Sequence, residues 1–298
     1  MNNKGIVLIL VLVLVASCVA AVVVITSWVS RNCDWSQRVY TANKAGIYIH
    51  TALKAAAKLL EEDDNHYDSP DDNWAKLPPL PIKNGEVMVQ IIPTNAKIDL
   101  NLFFTHNNSL KRRLKTAIAD ILVTHGVDEE VLNYMQAWVE KDVDYDEAYY
   151  LSHLPPYLPR KQPFYSLKEI DFIRAMANFS NLFHDYFTVD GSQRININFA
   201  SKVVLQAYLP EIEPSIDDLL SYRQKHPFTN ITQLRNVAGI TDDIYLAVQP
   251  YITTESDKFA VRIVVNIDKY AYCATALIKR QGKRTQILKY FEGKGFYE

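Results

Sequence analysis

From Ile6 to Ser30 the chain runs 25 residues without one Asp, Glu, Lys or Arg, bracketed by Lys4 and Arg31. A helix of that length and composition is long enough to cross the hydrocarbon core of a bilayer. The polar head before it is only Met1 to Gly5. A secretory signal peptide has a shorter apolar stretch, a small-residue cleavage site beyond it, and is then removed. Here the best cut point lies before the apolar run, between Gly5 and Ile6, so cleavage leaves the helix on the mature protein. Two rival readings are an unprocessed N-terminal anchor and a lipoprotein signal at Val15-Ala16-Ser17-Cys18. The second would expose the apolar residues Val19 to Ile25 to water, because no polar tether follows Cys18.

Beyond Arg31, apolar residues continue at spacings of three and four from Trp35 through Ile49, Leu53 and Ala56 to Leu60, and no proline interrupts. This is the periodicity of an amphipathic helix. It predicts one rod to Glu62, about 85 Å long at the α-helical rise. The outer half, with one apolar face, requires a soluble partner layer. An Asp- and Pro-rich loop follows, then a strand at 86–92 and its expected hairpin partner at 97–100. Helical patterns occupy 109–125, 128–141, 166–178, 200–208, 216–225, 231–236 and 242–250. Strand patterns return at 259–268, 270–279 and 285–291, where Val261, Ile263, Val265 and Ile267 alternate with other residues. The expectation is an α+β fold: a long helix packed on a small antiparallel sheet, with a large all-α insertion of SAM or helix-hairpin-helix type between the strands. Expected boundaries are a leader at 1–5, a transmembrane segment at 6–30 and an outer helix at 31–62. The core's first part then spans 63–100, the insertion 101–255 in two parts (101–194 and 195–255), and the core's last strands 256–298. Ile98-Asp99-Leu100-Asn101 resembles Ile195-Asn196-Ile197-Asn198. Two readings fit: independent helix caps, since Asn caps well, or two related subdomains opened by the same turn.

Few residues offer chemistry. The chain carries a formal net charge of -2 and only 9 glycines. It has no G-x-G-x-x-G, G-x-x-x-x-G-K, H-E-x-x-H or G-x-S-x-G motif, and we expect no enzyme. Asp142, Asp144 and Asp146, followed by Glu147, alternate in a way that can converge on a hard cation such as Ca²⁺. The bland alternative is a solvated acidic loop. Of the three cysteines, Cys18 lies in the apolar run, whereas Cys33 and Cys273 can pair if the outer part folds in an oxidising compartment.

Residues 195–252 resemble a helix-hairpin-helix module. DNA-binding versions present a glycine-bearing hairpin to a phosphate, but here the hairpin reads Pro210-Glu211-Ile212-Glu213-Pro214. From Phe199 to Thr253 the bases Lys202, Arg223, Lys225 and Arg235 face the acids Glu211, Glu213, Asp217, Asp218, Asp242 and Asp243. Backbone binding needs counter-charge, so no nucleic acid partner is expected and the module should make protein contacts.

The ordered set resembles one family, the type II secretion minor pseudopilin K (general secretion pathway protein K). It is carried by Gly5 before Ile6, the Pro-rich stretch near Trp74, Lys97 to Leu102, and Trp138 with Asp142 and Asp144. Further matches are Tyr149-Tyr150-Leu151, Pro155-Pro156-Tyr157, Gln162-Pro163-Phe164, Ser166 to Ile170, Ile195 to Asn198, and Ser256 with Phe259. Departures are Phe199 where the family commonly has Thr, and Trp138-Val139-Glu140 where it has Trp-Ile-Asp. The resemblance implies an inner-membrane protein with its bulk in the periplasm. It implies cleavage by prepilin peptidase, N-methylation, and placement at the tip of a pseudopilus with other minor pseudopilins and the major pseudopilin. Pilin-like subunits commonly have Glu at position five of the mature helix, where a carboxylate in the membrane favours a neighbour's N-terminal amine. That position is Leu10 here. The missing group suits a terminal, capping subunit. The runner-up is a tip minor pilin of a type IV pilus or DNA-uptake filament.

Overall fold

The computed structural model describes residues 3–64, 66–128 and 130–293. Met1 and Asn2 of the expected leader and residues 294–298 of the expected last strand block lie outside them. One helix, α1 (Asn3–Glu62), forms the stem. Its most apolar window has a mean hydropathy of 3.4 and is unburied by any other part of the chain. In the outer half, Ala45, Ile49, Ala52, Leu53, Ala56 and Leu60 are buried at three- and four-residue spacing, the stripe that the sequence periodicity predicts.

That stripe packs on an antiparallel sheet with strand order β1-β2-β7-β8-β9. Its strands are β1 (Leu80–Ile82), β2 (Gly85–Pro93), β7 (Lys258–Ile267), β8 (Tyr270–Gln281) and β9 (Arg284–Glu292). Val87 and Ile91, Val261 to Ile267 at alternate positions, and Ala274, Ala276 and Ile278 face the helix in one cluster. The period of two puts each of these on the same face.

Between β2 and β7 the chain builds a helical head from two units of one design. The first opens on β3 (Ile98–Asp99), runs through α2 (Asn108–Thr124), α3 (Glu130–Val139) and α4 (Glu147–Leu151), and closes on α5 (Ser180–Tyr186) and β4 (Phe187–Thr188). The second opens on β5 (Ile195–Asn196), runs through α6 (Lys202–Tyr208) and α7 (Ile216–Lys225), and closes on α8 (Asp242–Val248) and β6 (Ile252–Thr253). In each, the first and last strands pair in parallel, β3 with β4 and β5 with β6. The units share one core, with α2 packed against α6.

The related-subdomain reading of the Ile-x-x-Asn repeat is the one the structure follows. Asp99 and Asn196 each accept the N–H two residues on, at 2.9 and 3.0 Å. Asn101 then donates to Phe164 O and accepts from Phe164 N, and Asn198 does the same with Phe228. Each phenylalanine follows a proline and precedes a capped 3₁₀ turn, Leu167–Phe172 or Ile231–Asn236. Ser166 and Asn230 cap those turns, while Glu169 and Gln233 reach back to the N–H of Tyr165 and Thr229.

Two expectations are corrected. Residues 97–100 do not return along 86–92 as a hairpin. β2 is already paired with β7 along its whole length, and the chain leaves the sheet through a 3₁₀ turn, Thr94–Ala96, into β3. The expected helix at 166–178 is a 3₁₀ turn, because its buried residues Leu167, Ile170 and Ile173 recur every three and Ala175 adopts φ 63°.

Candidate functional site

The residues singled out in the sequence fall in four places. Gly5 lies in the first turns of α1, and Leu10 is exposed on the apolar half of that helix, largely uncovered by the other described residues. Asp142, Asp144, Asp146 and Glu147 are exposed in the loop after α3 and around the start of α4. Asp146 caps α4 by accepting the Tyr149 N–H at 3.1 Å, and pairs with Arg174 at 2.8 Å. The inner side of that loop already holds a cation: the Lys161 ammonium donates to Glu140 O at 2.9 Å and Val143 O at 2.8 Å. Burial lowers the Lys161 pKa, with Asp144 and Asp142 opposing. As placed, the four carboxylates form no cluster with ligand atoms within 4.8 Å of one another.

The disulfide expectation is corrected: Cys33 and Cys273 are free thiols. Tyr272 points at the stem, with its hydroxyl 2.9 Å from Thr41 Oγ1, so its neighbour Cys273 points to the other face of the sheet. Cys33 lies on the stem two helical turns below Thr41. The two sulfurs face different directions at different heights.

Among the described residues one group brings three carboxylates within 4.8 Å, Asp63, Asp68 and Asp72. It sits where the stem ends and the head begins, and the sequence reading missed it because Arg280, its partner, lies more than two hundred residues away. Arg280 donates to Asp63 at 2.8 Å and Asp68 at 2.6 Å, so a guanidinium already supplies the positive charge. Asp68 is wholly buried. Burial pushes its pKa up to about 6, while Arg280 pulls in the opposite direction. Trp74, at the edge of Phe259 and stacked on Phe199, donates to Asp63 at 3.1 Å.

The head offers two surfaces. In the first unit, the segment between α3 and Pro163 has no counterpart in the second, where α7 is followed almost at once by Pro227. That segment walls an open groove of about 860 Å³ lined by Trp138, Tyr149, Tyr157, Tyr165 and Phe172. Leu154 on its rim is 98% exposed. Exposed apolar patches of this kind are found at protein-, membrane- and ligand-binding surfaces. In the second unit, the hairpin Pro210–Ser215 carries Glu211, which Arg113 of α2 grips through both carboxylate oxygens at 2.5 and 3.0 Å. The other hairpin holds Gly239 at φ 81°, followed by Asp242 and Asp243. Arg235 beside it is paired with Asp242 at 2.7 Å. Both hairpins present carboxylates where a phosphate-binding module would present backbone N–H groups and cations.

Comparison with known proteins follows this division. Residues 190–253 match the helix-hairpin-helix motif family model, which is the second unit of the head. No curated protein sequence matches the chain. Among solved structures, the chain is similar to a chain of the GspK-GspI-GspJ complex from the type 2 secretion system of enterotoxigenic Escherichia coli, at 17% identity and a TM-score of 0.71. The similarity covers 87% of this chain and 99% of that one. Over that share the chain has a GspK-like fold.

Proposed function

We propose that this chain is a minor pseudopilin of a type II secretion system, a non-enzymatic assembly subunit that initiates and caps the pseudopilus. The carrying observation is the likeness, over 87% of this chain, to a chain of the GspK-GspI-GspJ complex. Its partners are then GspI- and GspJ-like minor pseudopilins, the major pseudopilin below them, and a prepilin peptidase that cuts between Gly5 and Ile6 and leaves a methylated amine. The apolar half of α1 holds the subunit in the inner membrane before assembly, with the sheet and head in the periplasm. Leu10 supports a terminal position, because a subunit with leucine there has no carboxylate to offer an amine above it. The wide head, set on the outer end of the stem, would also obstruct addition of a further subunit.

Mass spectrometry of the mature protein tests the processing. A chain starting at methylated Ile6 is expected; one starting at Met1 or at lipidated Cys18 overturns the reading. Leu10→Glu should leave folding unchanged and lower filament initiation and export, and unaltered export removes the argument from position five. The helix-hairpin-helix match favours a second reading, a tip subunit of a DNA-uptake filament. The acidic hairpins oppose it. Retention of the part from Arg31 onward on DNA at low salt, lost at high salt, would favour that reading.

A further inference from the structure

Two backbone crossings join the head to the sheet, residues 93–98 going out and 253–258 coming back. Two single strands of chain make a hinge, and a hinge is rigid only if other groups span it. Three cations do so here: Lys258 at the start of β7, which donates to Gly191 O at 3.2 Å, and two from the C-terminal strands.

Arg280, near the end of β8, donates to Asp63 directly after the stem, to Asp68 and to Ser256 O, at 2.8, 2.6 and 3.1 Å. Asp68 carries the connection onward. Its carboxylate accepts the Ser256 N–H at 2.5 Å, and its own N–H donates to Thr254 O at 2.7 Å. Its carbonyl accepts from Asn198 at 3.0 Å, the residue that opens the second unit. Lys289, in β9, donates to both oxygens of Asp190 at 2.8 and 2.9 Å and to Tyr165 O at 2.9 Å. Asp190 follows the closing strand of the first unit, and Tyr165 belongs to its capped turn. Lys289 therefore ends on the first unit directly, and Arg280 reaches the second through Asp68.

Both groups are withdrawn from water. Arg280, Asp63 and Asp68 side chains are 12%, 7% and 0% exposed, and Lys289 and Asp190 are 14% and 13%. Buried ion pairs contribute little net stability compared with apolar residues of the same size, because desolvation offsets the attraction. What they impose is geometry: a charge left without its partner is costly, so few relative positions of head and sheet keep both pairs intact.

We propose that Arg280 and Lys289 form a latch that fixes the orientation of the head on the stem, so that the β8–β9 hairpin completes the ties made at the crossings by Thr94 and Lys258 and makes stem and head one rigid body. Both are positioning residues: in a filament tip, the latch would let axial displacement of the stem move the head without bending at the junction.

The test uses the full chain in detergent, with its three cysteines replaced by serine and spin labels placed pairwise on exposed sites. Lys54 on the stem is paired with Arg112 in the first unit or with Gln224 in the second. Arg280→Met should broaden the Lys54–Gln224 distance distribution about twofold, and Lys289→Met the Lys54–Arg112 distribution. Circular dichroism should stay native, and Arg280→Lys should restore part of the narrowing. Unchanged widths in the double variant overturn the latch. If Arg280→Met fails to fold, Lys289→Met, which leaves the Asp68 network whole, decides alone: an unchanged Lys54–Arg112 width overturns it. Neither result depends on which filament the chain joins, so the proposed function stands or falls separately.

Discussion

The two units of the head share a frame and divide the work. Each opens with an extended Ile-x-x-Asn segment, clamps a Pro-Phe dipeptide with its asparagine, and closes on a parallel strand. In the second unit Asn198 is buried and also holds the carbonyl of Asp68 below the sheet junction. In the first, Asn101 is only partly buried and its third bond goes to Val189 O within its own unit. The second unit's clamp reaches the segment after the stem, whereas the first unit's clamp stays within its own unit, which carries the extra segment and the aromatic groove. The comparison teaches that one motif can serve as anchor or as display, according to what its single asparagine reaches beyond the motif.

The largest expected effect breaks the clamps. Asn198→Ala removes three hydrogen bonds from buried backbone groups and should cost about 3 kcal/mol or more, because each unsatisfied buried group carries its own desolvation penalty. Asn101→Ala should cost about 1–2 kcal/mol less, since water can reach part of its site. Urea unfolding of both variants measures the difference; equal losses would mean that the deeper burial of Asn198 adds nothing.

The next effect concerns the left-handed turn found in both units. Gly239 has φ 81°, and a Cβ there would lie 2.4 Å from Ser215 Oγ. Its counterpart is Ala175 at φ 63°. Alanine in that conformation costs roughly 1–2 kcal/mol. Ala175→Gly should therefore stabilise the chain by about 1 kcal/mol, and Gly239→Ala should destabilise it by more than that, through strain and contact together. Thermal melts of the two variants should move in opposite directions.

The smallest effect is a pH dependence shared between the units. Burial raises the carboxyls of Asp68 and Asp99 from an ordinary 3.8 to about 6. Below pH 7 the folded chain takes up protons that the unfolded chain does not yet bind, so lowering the pH from 7 to 5 should raise the urea midpoint. Asp99→Asn should remove the first unit's share of that rise and Asp68→Asn the share of the segment that ties the stem to the second unit. A midpoint that falls between pH 7 and 5 would contradict both assignments.

Much of this architecture was legible in the residues. The uncharged run and the three-and-four spacing beyond it predict a single helix, because no proline or glycine pair interrupts either half. Alternation at Val261 to Ile267 predicts the central strand. The Ile-x-x-Asn repeat was visible, but its second half was not recognised: Pro163-Phe164 with Ser166 and Glu169, against Pro227-Phe228 with Asn230 and Gln233. That signal lay in plain sight, hidden by the segment that separates α3 from Pro163 in only one unit. The hairpin expected at 97–100 failed for another reason. Ile98 and Asp99 have strand character, and local pattern cannot say which of several strands will pair with them.

The sequence by itself determined the stem with its uncharged run, the sheet's inner face and the acidic character of the hairpins. These follow from nearest-neighbour chemistry: helix spacing, strand alternation and charge are properties of a short segment. Only the tertiary structure decided that Cys33 and Cys273 stay apart, that Lys161 occupies the inner side of the Asp142–Glu147 loop, and that Arg280 and Lys289 reach back to Asp63, Asp68 and Asp190. Those contacts join residues up to 217 positions apart. No local propensity encodes such pairs; they exist because the packed stem and sheet bring the ends of the chain together.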